Sequence, residues 1–324
     1  MRISVQSTVF LPTPAPGAGA VEYLVSKLCE GLAARGHAVT CYCLEGSTVN
    51  VNRQSVQMIG STAAREGVIG RHISEEPPDV LFDHSLHQLA QRRLPDLPAL
   101  TMSHGIAPIS PWAHNIVFTS RHHGRLHGFN KPIALWNGID VAEVPPSDPP
   151  AGKTSLLWLG RFIPYKRPHV ALQIAQEAGV DLVMAGPIAD QEYYQREVRP
   201  LLGDGRVHLG EVDHAAVMRL FYNCDALLFT SDETEPAGIV LLESQAAGRP
   251  VLAFALGATP EFLWPQGNRL VATPSQMVGA IKDSFWESFD GAAARAWVEQ
   301  NRSMGAMVEQ AENLLLATKD GERW

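Results

Sequence analysis

Apolar positions in this chain switch between two periods along almost its whole length. Short apolar runs of strand length, such as Ile3 to Ser7, Ala38 to Leu44 and Asp225 to Thr230, alternate with longer stretches. In those stretches apolar residues recur every three to four positions, as at Val21, Leu24, Val25, Leu28 and Leu32. The first pattern fits buried strands and the second fits amphipathic helices laid against them. Further strands are expected at Val56 to Ile59, Asp79 to Phe82, Ala99 to Met102, Ile116 to Thr119 and Ile133 to Trp136, with helical segments between most of them. Later strands fall at Leu156 to Leu159, Leu182 to Ala185, Val207 to Leu209 and Pro250 to Phe254. The helices among them span Pro168 to Ala178, Gln191 to Val198 and Ala215 to Tyr222. Alternation of this kind implies an α/β chain built on parallel sheets.

The alternation breaks once. Asn137-Gly138 is a turn signal, and Val144 to Gly152 reads VPPSDPPAG, the most linker-like stretch of the sequence. The expected organisation is a first domain over 1–145 and a second over 153–290. The segment 291–324, helical over Ala292 to Thr318, is expected to cross back and brace the first domain. Two Rossmann-like domains facing one another would leave a cleft, with sites at the carboxyl ends of the strands.

Composition narrows the function. At 324 residues, 45% hydrophobic and 19% charged, the chain suits two ordinary soluble domains. The formal net charge is -8 and neither half is basic, which argues against nucleic acid as a partner and against docking on anionic lipid. No run of about 18 apolar residues occurs and the N-terminus lacks the shape of a signal peptide, so no integral membrane segment and a cytoplasmic location are expected. Cys29, Cys41, Cys43 and Cys224 have neither zinc nor redox spacing and read as reduced, buried residues.

Candidate chemistry concentrates in Ser231 to Gly248, SDETEPAGIVLLESQAAG. A strand feeds a loop and then a helix, with Pro236 suited to the first helical position. A helix start carries unpaired N–H groups and partial positive charge, so the peptides of Ala237, Gly238 and Ile239 form a natural phosphate seat. Glu243 then lies about 10 Å along the axis, roughly the span of a diphosphate, from the start. Glu235 and Glu243 could accept hydrogen bonds from hydroxyls at the two ends of a nucleotide sugar. The same residues also fit an acidic first turn that the helix dipole favours, with an unrelated Glu further on. Arg161 and Lys166, in GRFIPYKRP after a strand, suit a diphosphate or a plain solvated loop. His104, in Ser103-His104-Gly105 after the strand ALTM, projects at a sheet's carboxyl end and is either structural or functional. The loop Leu11 to Ala20 holds Gly17 and Gly19 between the first strand and its helix, without the full dinucleotide fingerprint. His122, His123 and His127, in RHHGRLHG after a strand, read as part of a partly exposed helix and not as a metal set.

The order of these pieces resembles the retaining glycosyltransferases of family 4. PGAGAVEYLVSKLCEGLAARGHAVT is similar to that family's Gly-Gly-x-Glu start, LWNGID to its turn before the linker, and LGRFIPYKRPHVAL to its Gly-Arg and Lys element. TEPAGIVLLESQAAGRPVLA and GATPE are similar to its C-terminal signature with paired glutamates. The resemblance implies a GT-B fold of two facing Rossmann-like domains with an inter-domain cleft. It also implies a nucleoside diphosphate sugar, UDP- or GDP-linked, as co-substrate, with no further cofactor and no metal. By resemblance Glu235 would hold the donor sugar, Glu243 the ribose, Arg161 and Lys166 the diphosphate, and Ala237, Gly238 and Ile239 the phosphates. Pro187 and Leu209 would lie beside the base, His104 would reach towards the transferred sugar, and Gly19 would approach donor and acceptor. Ala20 departs from the pattern, standing where the family has its second loop glycine. A small-molecule or glycan acceptor is expected on the first domain. A non-catalytic nucleotide-sugar-binding subunit, an epimerase or a phosphorylase on the same architecture are the alternatives.

Overall fold

The structure, a computed structural model, describes residues 1–15, 19–146 and 154–324. The expectations for Gly17 and for most of Val144 to Gly152 lie outside the described residues. Two compact units emerge, one formed by Met1–Gly138 with Met304–Trp324 and the other by Ile139–Ser303.

The first unit runs β1 (Arg2–Gln6), α1 (Ala20–Ala34), β2 (Ala38–Leu44), β3 (Asn52–Val56), α2 (Thr62–Glu75), β4 (Val80–Asp83), α3 (Leu89–Arg93), β5 (Ala99–Ser103), β6 (Ile116–Phe118), α4 (Arg121–Leu126) and β7 (Ile133–Ala134). Its seven strands lie in the order β3-β2-β1-β4-β5-β6-β7 and every pairing is parallel. All four residues of β4 are buried, as expected of a parallel strand covered on both faces. Leu44, Val56, Ile69, Ile73 and Leu81 share one side of the core.

The second unit repeats the scheme with β8 (Ser155–Leu159), α5 (Pro168–Ala178), β9 (Asp181–Ala185), α6 (Gln191–Tyr193), β10 (Arg206–His208), α7 (His214–Tyr222), β11 (Ala226–Phe229), α8 (Ile239–Ala246), β12 (Val251–Phe254), β13 (Arg269–Val271), α9 (Pro274–Lys282) and α10 (Gly291–Arg302). Its order is β10-β9-β8-β11-β12-β13, again parallel, over a core that includes Trp158, Phe162, Leu172, Met184 and Leu228. Asp213 and Asp290 cap α7 and α10, and Thr273 with Gln276 forms a capping box on α9.

Several elements depart from the sequence reading. The strand expected at Val56 to Ile59 is β3, which ends at Val56. Asn137-Gly138 forms no turn, and the Gly138 N–H donates to Met307 Sδ at 3.2 Å. The single helix expected over Ala292 to Thr318 is two, α10 and α11 (Met304–Lys319), because Ser303 adopts an extended conformation. Ser303 forms an isolated parallel bridge with Ile139, whose N–H donates to the Arg302 carbonyl at 3.0 Å. The chain therefore passes between the units at two neighbouring points. Among the described residues no helix is long and apolar enough to cross a membrane.

Helix α11 belongs to the first unit and packs on α1, where Gly31 admits it. A Cβ on Gly31 would fall 2.4 Å from Val308 Cγ2. Alanine gains about 1 kcal/mol of helix propensity over glycine. Overpacking costs about 1–3 kcal/mol, and a β-branched neighbour has little rotamer freedom with which to yield. Gly31→Ala is therefore expected to lower stability in denaturant titration by about 1 kcal/mol. Adding Val308→Ala should recover part of that loss. Strictly additive losses would show that the two positions do not meet.

Candidate functional site

In the second unit the strand order reverses between β8 and β11, so the loops leaving these neighbours diverge and open a crevice at their carboxyl ends. The loop after β8 carries Arg161 and Lys166, and the loop after β11 carries Glu235. Thr230, buried just beyond β11, fastens the two together. Its hydroxyl lies 3.0 Å from the carbonyl oxygens of both Lys166 and Arg167, and it accepts from Trp158 Nε1 at 3.1 Å. The Asp232 N–H adds a bond to the Tyr165 carbonyl at 2.9 Å. Held this way, the Lys166 ammonium forms an ion pair with Glu235 Oε2 and lies 5.5 Å from the centroid of the Tyr165 ring and 5.8 Å from that of Phe229. Glu235 is buried. Arg161 is exposed on the same loop, and its Nη2 donates to the Tyr165 hydroxyl at 3.1 Å. A third loop lies behind: Gly257, at φ +60°, passes so close that a Cβ would meet the Glu235 carbonyl oxygen at 3.2 Å.

Helix α8 begins at Ile239 and not at Pro236. Asp232 explains the delay. Its Oδ1 accepts from the Thr234 N–H at 2.8 Å and from the Thr234 hydroxyl at 2.6 Å, closing a turn that competes with helix. Gly238, at φ -154° and ψ 84°, then serves as cap without a side-chain hydrogen bond. Ala237 precedes the cap and Ile239 opens the helix, so the start is an uncapped cluster of N–H groups with positive character. Glu243 follows one turn later, about 6 Å along the axis instead of 10. Burial raises its carboxyl above the ordinary range, opposed in part by His214. Pro187 and Leu209 lie at the ends of neighbouring strands. The Pro187 carbonyl accepts from the Phe162 N–H at 2.9 Å, the Leu209 N–H donates to Met184 at 2.9 Å, and the Leu209 side chain is half exposed.

The first unit has its own reversal, between β1 and β4. Gly19 is the N-terminal cap of α1 and Ala20 the first residue of that helix. His104 directly follows β5, and His84 directly follows β4 with its N–H on the Gln6 carbonyl at 2.9 Å. Two buried carboxylates hold the loop after His84. Asp83 accepts from the Ser85 N–H at 2.9 Å and from Gln91 Nε2 at 2.8 Å, while Glu66 accepts from the N–H groups of Leu86 at 3.0 Å and His87 at 2.9 Å. Burial pushes both carboxyls up. His84 Nδ1 lies 2.8 Å from His104 Nε2, and the rings stack. Burial, and then a neighbouring imidazole, drives His104 down to about 3 and His84 well below its usual value. Both rings are therefore neutral at neutral pH, and one proton lies between them. His84 Nε2 is buried and, among the described residues, has no hydrogen-bond partner.

These two imidazoles line a cavity of about 270 Å³ with Thr8, Glu22 and several apolar side chains. Thr8 Oγ1 donates to Glu22 Oε1. His123 and His127, both on the Gly105 carbonyl at 3.0 and 2.9 Å, fix the turn after His104. Among the described residues no cluster of His, Cys, Asp and Glu side chains is placed to hold a metal ion. The sequence reading overlooked His84 and Thr230, and touched Glu22 only as the Glu of the Gly-Gly-x-Glu start. A signal for His84 existed, because it follows its strand as His104 does, at the end where sites form.

Residues 142–304 match the family model described as Glycosyl transferases group 1. A glycogen synthase of Mycobacterium tuberculosis is 26% identical over 218 residues, which cover 60% of this chain and 51% of that protein. This chain thus spans about half the length of that relative. Among solved structures, AviGT4, a glycosyltransferase involved in avilamycin A biosynthesis, superposes with a TM-score of 0.79 at 20% identity, covering 100% of this chain and 99% of its own. Anabaena HepE in complex with UDP and glucose superposes with a TM-score of 0.73 at 16% identity, covering 98% and 100%. The two parallel-sheet units are those of the GT-B fold. A family match over half the chain, laid across the unit that carries Lys166, Glu235 and Glu243, places this protein among the group 1 glycosyl transferases.

Proposed function

We propose that the protein transfers a glycosyl group from a nucleoside diphosphate sugar to an acceptor hydroxyl, with the anomeric configuration retained. The observation that carries this reading is the crevice beside β11. There an ammonium, a buried carboxylate and an uncapped helix start meet, with a second carboxylate one turn along the same helix. Cations and unpaired N–H groups suit a diphosphate, and the flanking carboxylates suit hydroxyls. The HepE complex supports UDP as one form of donor for this fold, and GDP and ADP fit the same chemistry.

In the proposed step the acceptor oxygen bonds to the anomeric carbon on the face from which the diphosphate leaves. The bond from that carbon to the phosphate oxygen breaks, and the acceptor's proton passes to that oxygen. No enzyme nucleophile is required, so Glu235 positions the sugar. Arg161, Lys166 and the start of α8 stabilise the charge that develops on the leaving group. Before donor arrives, Lys166 is neutralised by Glu235. The phosphates would take over the ammonium and release the carboxylate to the sugar hydroxyls.

Removing one group that stabilises developing charge typically lowers kcat by about 10²–10³. Lys166→Ala is expected to show a loss of that order, and Lys166→Arg to recover little of it, because a guanidinium fork does not replace a point charge. Product NMR from an α-linked donor should show an α-linked product, and a β-linked product would refute retention. Donor binding should also depend on pH. Glu243 can accept both ribose hydroxyls, one on each oxygen, only as a carboxylate, and its raised pKa means that it protonates at a higher pH than an exposed glutamate. Affinity measured by calorimetry should therefore fall as pH drops into the acid range, and Glu243→Gln should bind weakly with that fall abolished.

A further inference from the structure

The cavity of the first unit has a chemistry that the family match does not specify. Its wall is apolar over most of its extent, formed by Phe10, Val21, Leu86, Met102, Pro108 and Ile109. Phe10, which lines it, is 50% exposed. Among the described residues lining it there is no lysine or arginine, and the one carboxylate is Glu22. A phosphorylated or carboxylated occupant would meet Glu22 with no cation to offset it.

The polar groups of the wall are nearly all committed to the protein itself. Thr8 donates to Glu22, Ser85 Oγ accepts from the Gln88 N–H at 3.2 Å, and Ser103 Oγ donates to the Gly105 carbonyl at 3.3 Å. The Gln88 side chain donates to the Ser85 carbonyl and accepts from the Ser110 N–H at 3.2 Å. What remains, besides the second Glu22 oxygen and the Ser85 hydroxyl proton, is the imidazole pair. The proton between His84 Nδ1 and His104 Nε2 leaves one outer nitrogen as donor and the other as acceptor, whichever tautomer holds. His84 Nε2 is the unpartnered member, on a side chain only 3% exposed. A hydroxyl can both donate and accept, so it satisfies either tautomer. An occupant with many hydroxyls would leave most of them unpaired against apolar wall, at about 1–3 kcal/mol each.

We infer that this cavity receives the acceptor, and that the acceptor is an uncharged compound presenting one hydroxyl to the His84–His104 pair on an apolar body. This inference rests on the sugar-transfer reading above. It separates the protein from enzymes that extend a polyol chain or glycosylate a sugar phosphate.

Saturation-transfer NMR on the full chain without donor tests it, using 2-naphthol and n-hexanol as apolar hydroxyl probes, with glucose 6-phosphate and maltotriose for comparison. Naphthalene controls for the hydroxyl. Expected are saturation of both apolar probes, 2-naphthol binding several-fold tighter than naphthalene, and little signal from the other two. Ile109→Asp should weaken 2-naphthol at least tenfold, and the milder Ile109→Ala by less. His84→Phe should remove the advantage of 2-naphthol over naphthalene. Tighter binding of glucose 6-phosphate or maltotriose, or apolar binding indifferent to Ile109→Asp, overturns the inference. Nucleotide-sugar binding, measured in parallel on the same samples, keeps the two claims apart. Donor bound with no apolar probe bound defeats this inference alone, whereas no donor bound in the wild type defeats the sugar-transfer reading and the acceptor role with it.

Discussion

Each sheet of this protein grows outward from its first strand in two directions, and the chemistry depends on that constraint. A strand whose successors lie on opposite sides has its carboxyl end left uncovered, since the crossover helices pack on opposite faces. In the second unit this exposes the ends of β8 and β11, and in the first the ends of β1 and β4. Lys166, Glu235, His84 and Gly19 all lie on segments leaving those four strands. The candidate site residues are thereby placed on loops, while the strands behind them are buried.

Loops at a crevice need fastening, and both units use buried polar groups for it. Thr230 ties the end of β11 to the loop that carries Lys166, and Asp83 with Glu66 ties down the loop after His84. Such groups stabilise only when satisfied, because a buried donor or acceptor left unpaired costs about 1–3 kcal/mol. The Lys166–Glu235 pair follows the same logic at higher stakes. Removing one partner of a buried pair costs about 3–5 kcal/mol, since it strands the other charge. A ligand that displaces the pair must therefore supply an anion to the ammonium and hydroxyl donors to the carboxylate. A nucleoside diphosphate sugar carries both within a few ångströms. On the proposed function, the pair would select against ligands that bring only one of the two.

Much of this was legible in the sequence, because hydrophobic period and strand-end position are local signals. Alternation gave the parallel α/β units, and the residues after LLWLG and ALTM pointed to Lys166 and His104. Misreadings arose where tertiary contacts outweigh local preference. Pro236 suits a helix start, yet the turn closed by Asp232 holds the backbone out of helix until Gly238. Ser303 has no glycine or proline beside it, and its pairing with Ile139 accompanies the break between α10 and α11. Asn137-Gly138 is a turn dipeptide that makes no turn, at the point where the chain leaves the first unit. The unpartnered nitrogen of His84 was beyond reach of the sequence, since it depends on what the neighbouring strands bring near.

The central claim is that the crevice of the second unit binds a nucleoside diphosphate sugar through Lys166, Glu235, the start of α8 and Glu243. Thermal unfolding of wild type and Glu243→Ala, in the presence of UDP-, GDP-, ADP- and dTDP-linked sugars, tests this most directly. A ligand bound only by the folded state stabilises it by about 2.7 kcal/mol at a hundred times its dissociation constant. One nucleotide sugar should raise the wild-type transition by several degrees and leave Glu243→Ala nearly unmoved. If none of them shifts the wild type at millimolar concentration, the crevice is not a donor site and the account fails.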